Sequence, residues 1–283
     1  MNPVANAVRA GLSRGVIELR QSLTNGTDLF GLLFWPIAMV ITLVFLRNST
    51  FQATDFELGT LALPSILGML VAFSSIVSIA QLLAVEREDG TLLRAKATPN
   101  GMVGYLVGKS VMAAGWVLTS FCAVLIPGLL LIGGVELDTP ARWFALLGIV
   151  LLGMLASLPI GACLGSLFAT PRGVGFASMP IMALVAVSGI FYPITSLPGW
   201  LQGLAQVFPI YWLGLGTRSA MLPEEAAALE LTGSWRHLET VAVLGTWAVV
   251  GMLVAPVLLR RMARKESGSS VAARRERAMQ RAY

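Results

Sequence analysis

The chain has 283 residues, of which 56% are hydrophobic and only 12% charged, and its mean hydropathy is +0.77. A soluble domain carries about 25% charged residues, so too little polar surface is available to cover a fold of this size in water, and a soluble enzyme is disfavoured. The net charge of +5 does not indicate nucleic acid, because the charges sit in short clusters between long neutral runs.

In chain order, residues 1–28 contain no apolar core of a secretion signal. Val8, Leu12, Val16, Leu19 and Leu23 recur at spacings of three and four, with Arg14, Glu18 and Gln21 on the other face. That pattern predicts an amphipathic helix lying at a membrane interface. Charge-free runs then occupy 29–46, 58–85, 110–135, 143–171, 173–217 and 240–259. About 20 apolar residues cross the hydrocarbon core. All but the fifth run therefore predict one span each. The fourth and fifth are parted only by Arg172, within Ala169-Thr170-Pro171-Arg172-Gly173, which reads as a tight turn at a membrane surface.

The fifth run holds 45 residues, too many for one span. Val174 to Phe191 predicts a helix. From Tyr192 onward prolines mix with aromatic residues, in Tyr192-Pro193, Leu197-Pro198-Gly199-Trp200, Phe208-Pro209 and Tyr211-Trp212. Lipid-exposed backbone does not tolerate so many helix breakers, so 192–217 is expected to be an external re-entrant hairpin, with a seventh span over 200–217 as the alternative. The expected fold is an all-α membrane protein of six transmembrane helices. It divides into an amphipathic segment 1–28, a transmembrane domain 29–259 and a basic tail 260–283.

With six spans both termini share one side, and that side holds 16 of the 20 Lys and Arg residues. The excess places both termini in the cytoplasm. Glu224, Glu225, Glu230 and Glu239 fall in the last external loop. The tail from Arg260 is basic and suits anionic lipid.

Several chemistries are missing. Cys122 and Cys163 lie singly in separate spans and read as packed core thiols. His237 is the only histidine, so no His-centred metal site or triad can be built. No Asp or Glu falls inside any predicted span, which weighs against proton-coupled transport. Gly104-Tyr105-Leu106-Val107-Gly108-Lys109-Ser110 looks like a phosphate loop, but three residues separate its glycines where four are needed. Lys109 is expected to snorkel to the headgroups instead. Gly161 and Gly165, four apart, predict close helix packing.

The densest charge cluster between spans is Glu86-Arg87-Glu88-Asp89-Gly90-Thr91-Leu92-Leu93-Arg94, continuing through Ala95-Lys96-Ala97-Thr98-Pro99. Gly90 is expected to break the second span, Thr91 to cap a short helix and Pro99 to end it. Leu92 and Leu93 beside Arg94 and Lys96 suit docking into a groove of a partner protein. A solvated turn carrying stop-transfer charges is the alternative.

This loop, with Ala97-Thr98-Pro99, resembles the ABC-2 type permease family, the membrane subunits of ATP-binding-cassette exporters. Ser188-Gly189-Ile190-Phe191-Tyr192-Pro193, Leu197-Pro198-Gly199-Trp200-Leu201 and Phe208-Pro209 carry a second match. The likeness is nearest to bacterial daunorubicin-resistance type efflux permeases. It implies a multi-pass bacterial plasma-membrane protein that pairs with a second permease copy, identical or related, and docks on two ABC ATPase subunits. ATP and Mg would be bound by those partners, with no cofactor in this chain. The segment 86–99 would be the coupling helix and Val8 to Leu23 the connecting helix. Spans one, two and five would line the dimer axis, which makes Phe34, Trp35, Phe73, Phe176, Met179, Met182 and Phe191 candidate cavity residues for a hydrophobic drug or lipid. A polysaccharide or glycolipid exporter of the same family, a secondary transporter and a membrane-embedded enzyme are the competing readings.

Overall fold

The computed structural model of the chain describes residues 3–49, 57–98 and 100–265. Among the described residues there is no β-strand, and the chain runs as helices joined by short turns. Helix α1 spans Pro3–Thr24 and α2 spans Gly26–Leu46. Only Asn25 separates them, and its side chain accepts from the backbone N–H of Thr27 at 2.9 Å, supplying the cap that starts α2. Helix α3 runs over Leu58–Asp89 and stops at Gly90, whose φ of 81° is free of strain only for glycine. Then follow α4 (Thr91–Lys96), α5 (Gly101–Leu131) and α6 (Pro140–Leu167), the last starting with proline in its first turn.

Five of these helices are long and apolar enough to cross a membrane: α2, α3, α5, α6 and α10 (His237–Lys265). Helix α7, Pro171–Ala186, has 16 residues and reaches about 24 Å, less than a single span requires. It begins where the sequence predicted a turn. The reversal is made by 168–170, the Thr170 side chain caps Gly173, and Pro171-Arg172-Gly173 is already helical. It also ends sooner than the expected Phe191. The chain turns at 187–192 with Gly189 at φ 71°, because the residues from Gly189 to Ile194 fold back on themselves.

Beyond that turn, α8 (Gly199–Val207) and α9 (Pro209–Met221) are broken apart at Phe208-Pro209. Every α9 residue except Ser219 is buried, enclosed by α3, α6 and α10. A backbone rich in Pro and Gly is tolerated at such depth because protein, not lipid, surrounds it. Trp212 and Trp247 donate to the carbonyls of Gln206 and Val207, which ties α8 to its neighbours.

Helix α3 is the axis of the bundle, buried without interruption from Leu63 to Ala72. Small residues let its neighbours approach. A Cβ on Gly68 would lie 2.8 Å from the Gly214 Cα of α9, and one on Gly165 would lie 3.0 Å from the Ala80 Cα. Gly161 seats against the Ile76 carbonyl in the same way. The predicted Gly161/Gly165 contact is therefore an α3–α6 contact within one chain.

Other expectations need correction. Cys122 is exposed on α5 and Cys163 is only half-buried, so neither is a fully packed core thiol. Arg260 to Lys265 belong to the last turns of α10, where Met262 and Ala263 are buried, and do not start a separate tail. The rest of the predicted tail, 266–283, lies outside the described residues. Glu230, placed by the sequence in the last external loop, turns into the protein to meet Arg218.

Candidate functional site

The charged segment that follows α3 is held from several sides. Arg87, 9% exposed, donates to the carbonyl oxygens of Gly165, Ser166 and Phe168 at 3.1–3.3 Å. It thereby satisfies the otherwise open C-terminal carbonyls of α6 and fixes the entry to α7. Asp89 rather than Thr91 supplies the cap of the short helix, accepting from the Thr91 N–H at 2.8 Å. Thr91 stands inside α4 and accepts from Arg94 at 3.3 Å. Pro99, expected to end the helix, lies outside the described residues.

Of the two leucines expected to dock outward, Leu92 is 1% exposed and packs with Leu83, Tyr105, Leu259 and Met262. Leu93 and Glu88 are half-buried, whereas Arg94 and Lys96 are exposed. Helix α4 is therefore rooted in the bundle by Leu92 and presents its basic residues to the outside. A cleft of about 360 Å³ lies beside it, lined by Arg14 of α1 and by Thr91, Arg94, Ala95 and Thr98.

The arrangement that the sequence concealed is centred on Lys109. This residue does not snorkel. It is 4% exposed, and its Nζ lies 2.5 Å from Glu18 Oε2 of α1 and 2.6 Å from Glu86 Oε1 of α3. Arg14 pairs with the other oxygen of Glu18 at 2.7 Å. One ammonium thus joins α1, α3 and α5, and its partner Glu86 stands five residues before the start of α4.

The glycines of the false phosphate loop explain how α1 comes so close. Gly11 and Gly15 of α1 seat against the carbonyls of Gly104 and Gly108 of α5, and Leu19 lies over Gly115. Trp116 closes the seam by donating to Ser22 Oγ at 3.1 Å. The two helices run parallel in one register over this length. The packing face of α1 is Gly11, Gly15, Glu18 and Ser22, so Glu18, expected on the polar face, turns toward protein, while Leu12 and Val16 of the apolar stripe stay about half exposed. Glycine pairs four apart in both segments were the available signal.

Burial alone would raise the Glu18 carboxyl, but hydrogen bonds from Lys109 and Arg14 outweigh it and hold the group below the usual carboxylate value. A lowered value means that docked Glu18 resists the proton which undocked Glu18 takes up. Its contribution to holding α1 is complete above about pH 5 and is lost as the pH falls through the lowered value. Hydrogen exchange of α1 amides, corrected for intrinsic rates, should accelerate relative to α3 between pH 5 and 3. Constant protection across that range would contradict the role given to Glu18.

The candidate cavity residues do not converge within one chain. Phe34 and Trp35 are exposed on α2, and Phe176, Met179 and Met182 are exposed on α7. Phe73 is partly buried against the core. Phe191 lines the cavity at the far end of α3, where the other candidates do not reach. Among the described residues no group of His, Cys, Asp and Glu could hold a metal ion.

An all-helical chain with five bilayer-length apolar helices is a multi-pass membrane protein. A family model for ABC-2 family transporter proteins matches residues 42–258, and the chain belongs to that family. The matched region takes in all of α3 to α9. Membership makes the chain a membrane transport subunit, not itself catalytic, and implies an ABC ATPase partner. No curated protein matches the chain.

Proposed function

We propose that this chain is the permease of a bacterial plasma-membrane exporter that moves a hydrophobic or amphipathic compound, a drug or a lipid, out of the cell. Two permeases pair and two ABC ATPase subunits dock on their cytoplasmic side, where both termini lie. ATP and Mg are held by those subunits. Helix α7 completes a sixth crossing together with the turn that follows it, and α8–α9 form the hairpin that enters from outside.

The observation that carries the reading is the mounting of α4. It projects basic residues while Leu92 and the Glu18–Lys109–Glu86 cluster fasten its base to α1, α3 and α5. A push on α4 by a closing ATPase is therefore delivered to three helices at once. Arg94 and Lys96 form the docking charge; Arg87 and Leu92 hold the helix in place. The outward-facing aromatic and methionine residues of α2 and α7 belong to a cavity that two chains complete.

The test is co-purification with the ABC ATPase. Arg94→Glu with Lys96→Glu changes only exposed side chains, so the permease should fold normally yet lose the ATPase at least about tenfold. Undiminished capture, with ATPase turnover indifferent to the permease, would remove α4 from the interface and defeat the proposal.

A further inference from the structure

At the opposite end of the bundle from α4, a cavity of about 280 Å³ opens between α2, α3, the turn at 189–194 and the short 3-10 helix Glu224–Leu229. Its apolar lining comes from several elements, among them Leu46, Leu61, Ile66 and Ile194. Phe191 and Tyr192 also line it and remain exposed to the outside. The polar part of the lining is a built cluster. Arg218 meets Glu230 through Nε at 2.6 Å and Nη2 at 3.3 Å, with side chains only 7% and 9% exposed. Its Nη1 donates to Ser65 Oγ at 3.1 Å.

Three of the five guanidinium N–H groups are thus taken, and among the described residues the other two have no partner beside a mainly apolar cavity. The ion pair is neutral as a whole. A ligand with an ionised head would add an uncompensated charge at this buried place, which is costly. A carbonyl or hydroxyl oxygen satisfies the free donors without that cost.

We propose that this cavity binds an amphipathic molecule dissolved in the membrane, with an uncharged hydrogen-bonding head. Its head accepts from Arg218, and its chain lies along the leucine and isoleucine lining. The site is complete within one chain and stands apart from ATP-driven export, so either proposal can fail without the other.

The experiment uses the full chain in phosphatidylcholine nanodiscs without ATPase. The probe is a monoacylglycerol carrying a diazirine in its acyl chain. Controls of the same chain length carry a phosphate head or a trimethylammonium head. Peptides covering 186–196 and 222–230 should be labelled by the glycerol probe at least about tenfold more than by either charged probe. Leu61→Trp fills the cavity without touching the ion pair and should abolish the preference. Ala62→Trp serves the same purpose if the first variant lowers the melting temperature. Equal labelling by all three heads, or labelling indifferent to both variants, would overturn the proposal. Cross-links between the 189–194 turns of two copies, with no lipid label, would give the cavity to a second permease and overturn it as well.

Discussion

Replacing Lys109 with Met should destabilise the chain by about 3–5 kcal/mol, the usual cost of removing one partner from a buried ionic cluster. Most domains have only about 5–15 kcal/mol to lose. The size of the effect comes from what is left behind. Glu18 and Glu86 would face each other across an apolar side chain, and Glu86 Oε2 is already buried with no hydrogen-bond partner among the described residues. Repulsion between the two carboxylates adds to the desolvation of each. The variant should melt earlier in detergent and lose hydrogen-exchange protection in α1 before α3. Adding Glu86→Gln should return part of the loss, because one of the stranded charges is removed. A single variant within about 0.5 kcal/mol of the native protein would mean that the cluster is solvated and does not fasten α1.

Arg218→Met should have a loss of similar size, about 3–5 kcal/mol, at the other end of α3. Here the stranded group is Glu230, which among the described residues keeps no partner of opposite charge once the guanidinium is gone. Ser65 loses its donor but retains its own bond to the Leu61 carbonyl at 2.9 Å. Combining Arg218→Met with Glu230→Leu should restore most of the stability, since well-packed apolar residues often replace a buried pair at little cost. Thermal unfolding of the two single variants and the double variant, arranged as a cycle, measures the coupling directly. If the double variant is as unstable as the sum of the singles, the two residues do not act as a pair.

The two ionic clusters share a geometric meaning. Ser65 and Glu86 are 21 residues apart on one continuous helix, which is about 31 Å, close to the thickness of a bilayer's hydrocarbon core. Between them α3 carries no charge at all. The two ionic clusters packed against this axial helix therefore stand about one hydrocarbon-core thickness apart, with neutral side chains filling the length between.

Much of the architecture was legible because punctuation in the chain is local. Gly90 and the Thr170-Pro171 step act on their own backbone, and helix boundaries fall beside them. The clusters were not legible for the opposite reason. Glu18 and Lys109 are separated by 91 positions, and Arg218 and Ser65 by 153. No window of periodicity contains both members. The seam of α1 was not foreseen because its apolar stripe was read for the membrane interface and its glycines were given no role. Glycines bury little apolar area, yet they allow backbone approach, and here approach decided the packing. Leu92 shows a related limit: a leucine beside arginines reads as an outward docking group until the helix above it is known to cover it.

The glycine seam between α1 and α5 also dictates an order of assembly. Glu18 leaves the ribosome 91 residues ahead of Lys109, a lag of roughly 5–20 s at ordinary synthesis rates. For that interval the first helix can meet only the start of α2, and its main partner seam does not yet exist. The nascent chain must insert α2 and α3 with α1 unattached, and the amino-terminal helix locks only when α5 emerges. A slowly translated stretch just before residue 101, or a bulky domain fused ahead of residue 1, would lengthen or obstruct that closing step while leaving the finished contacts unchanged.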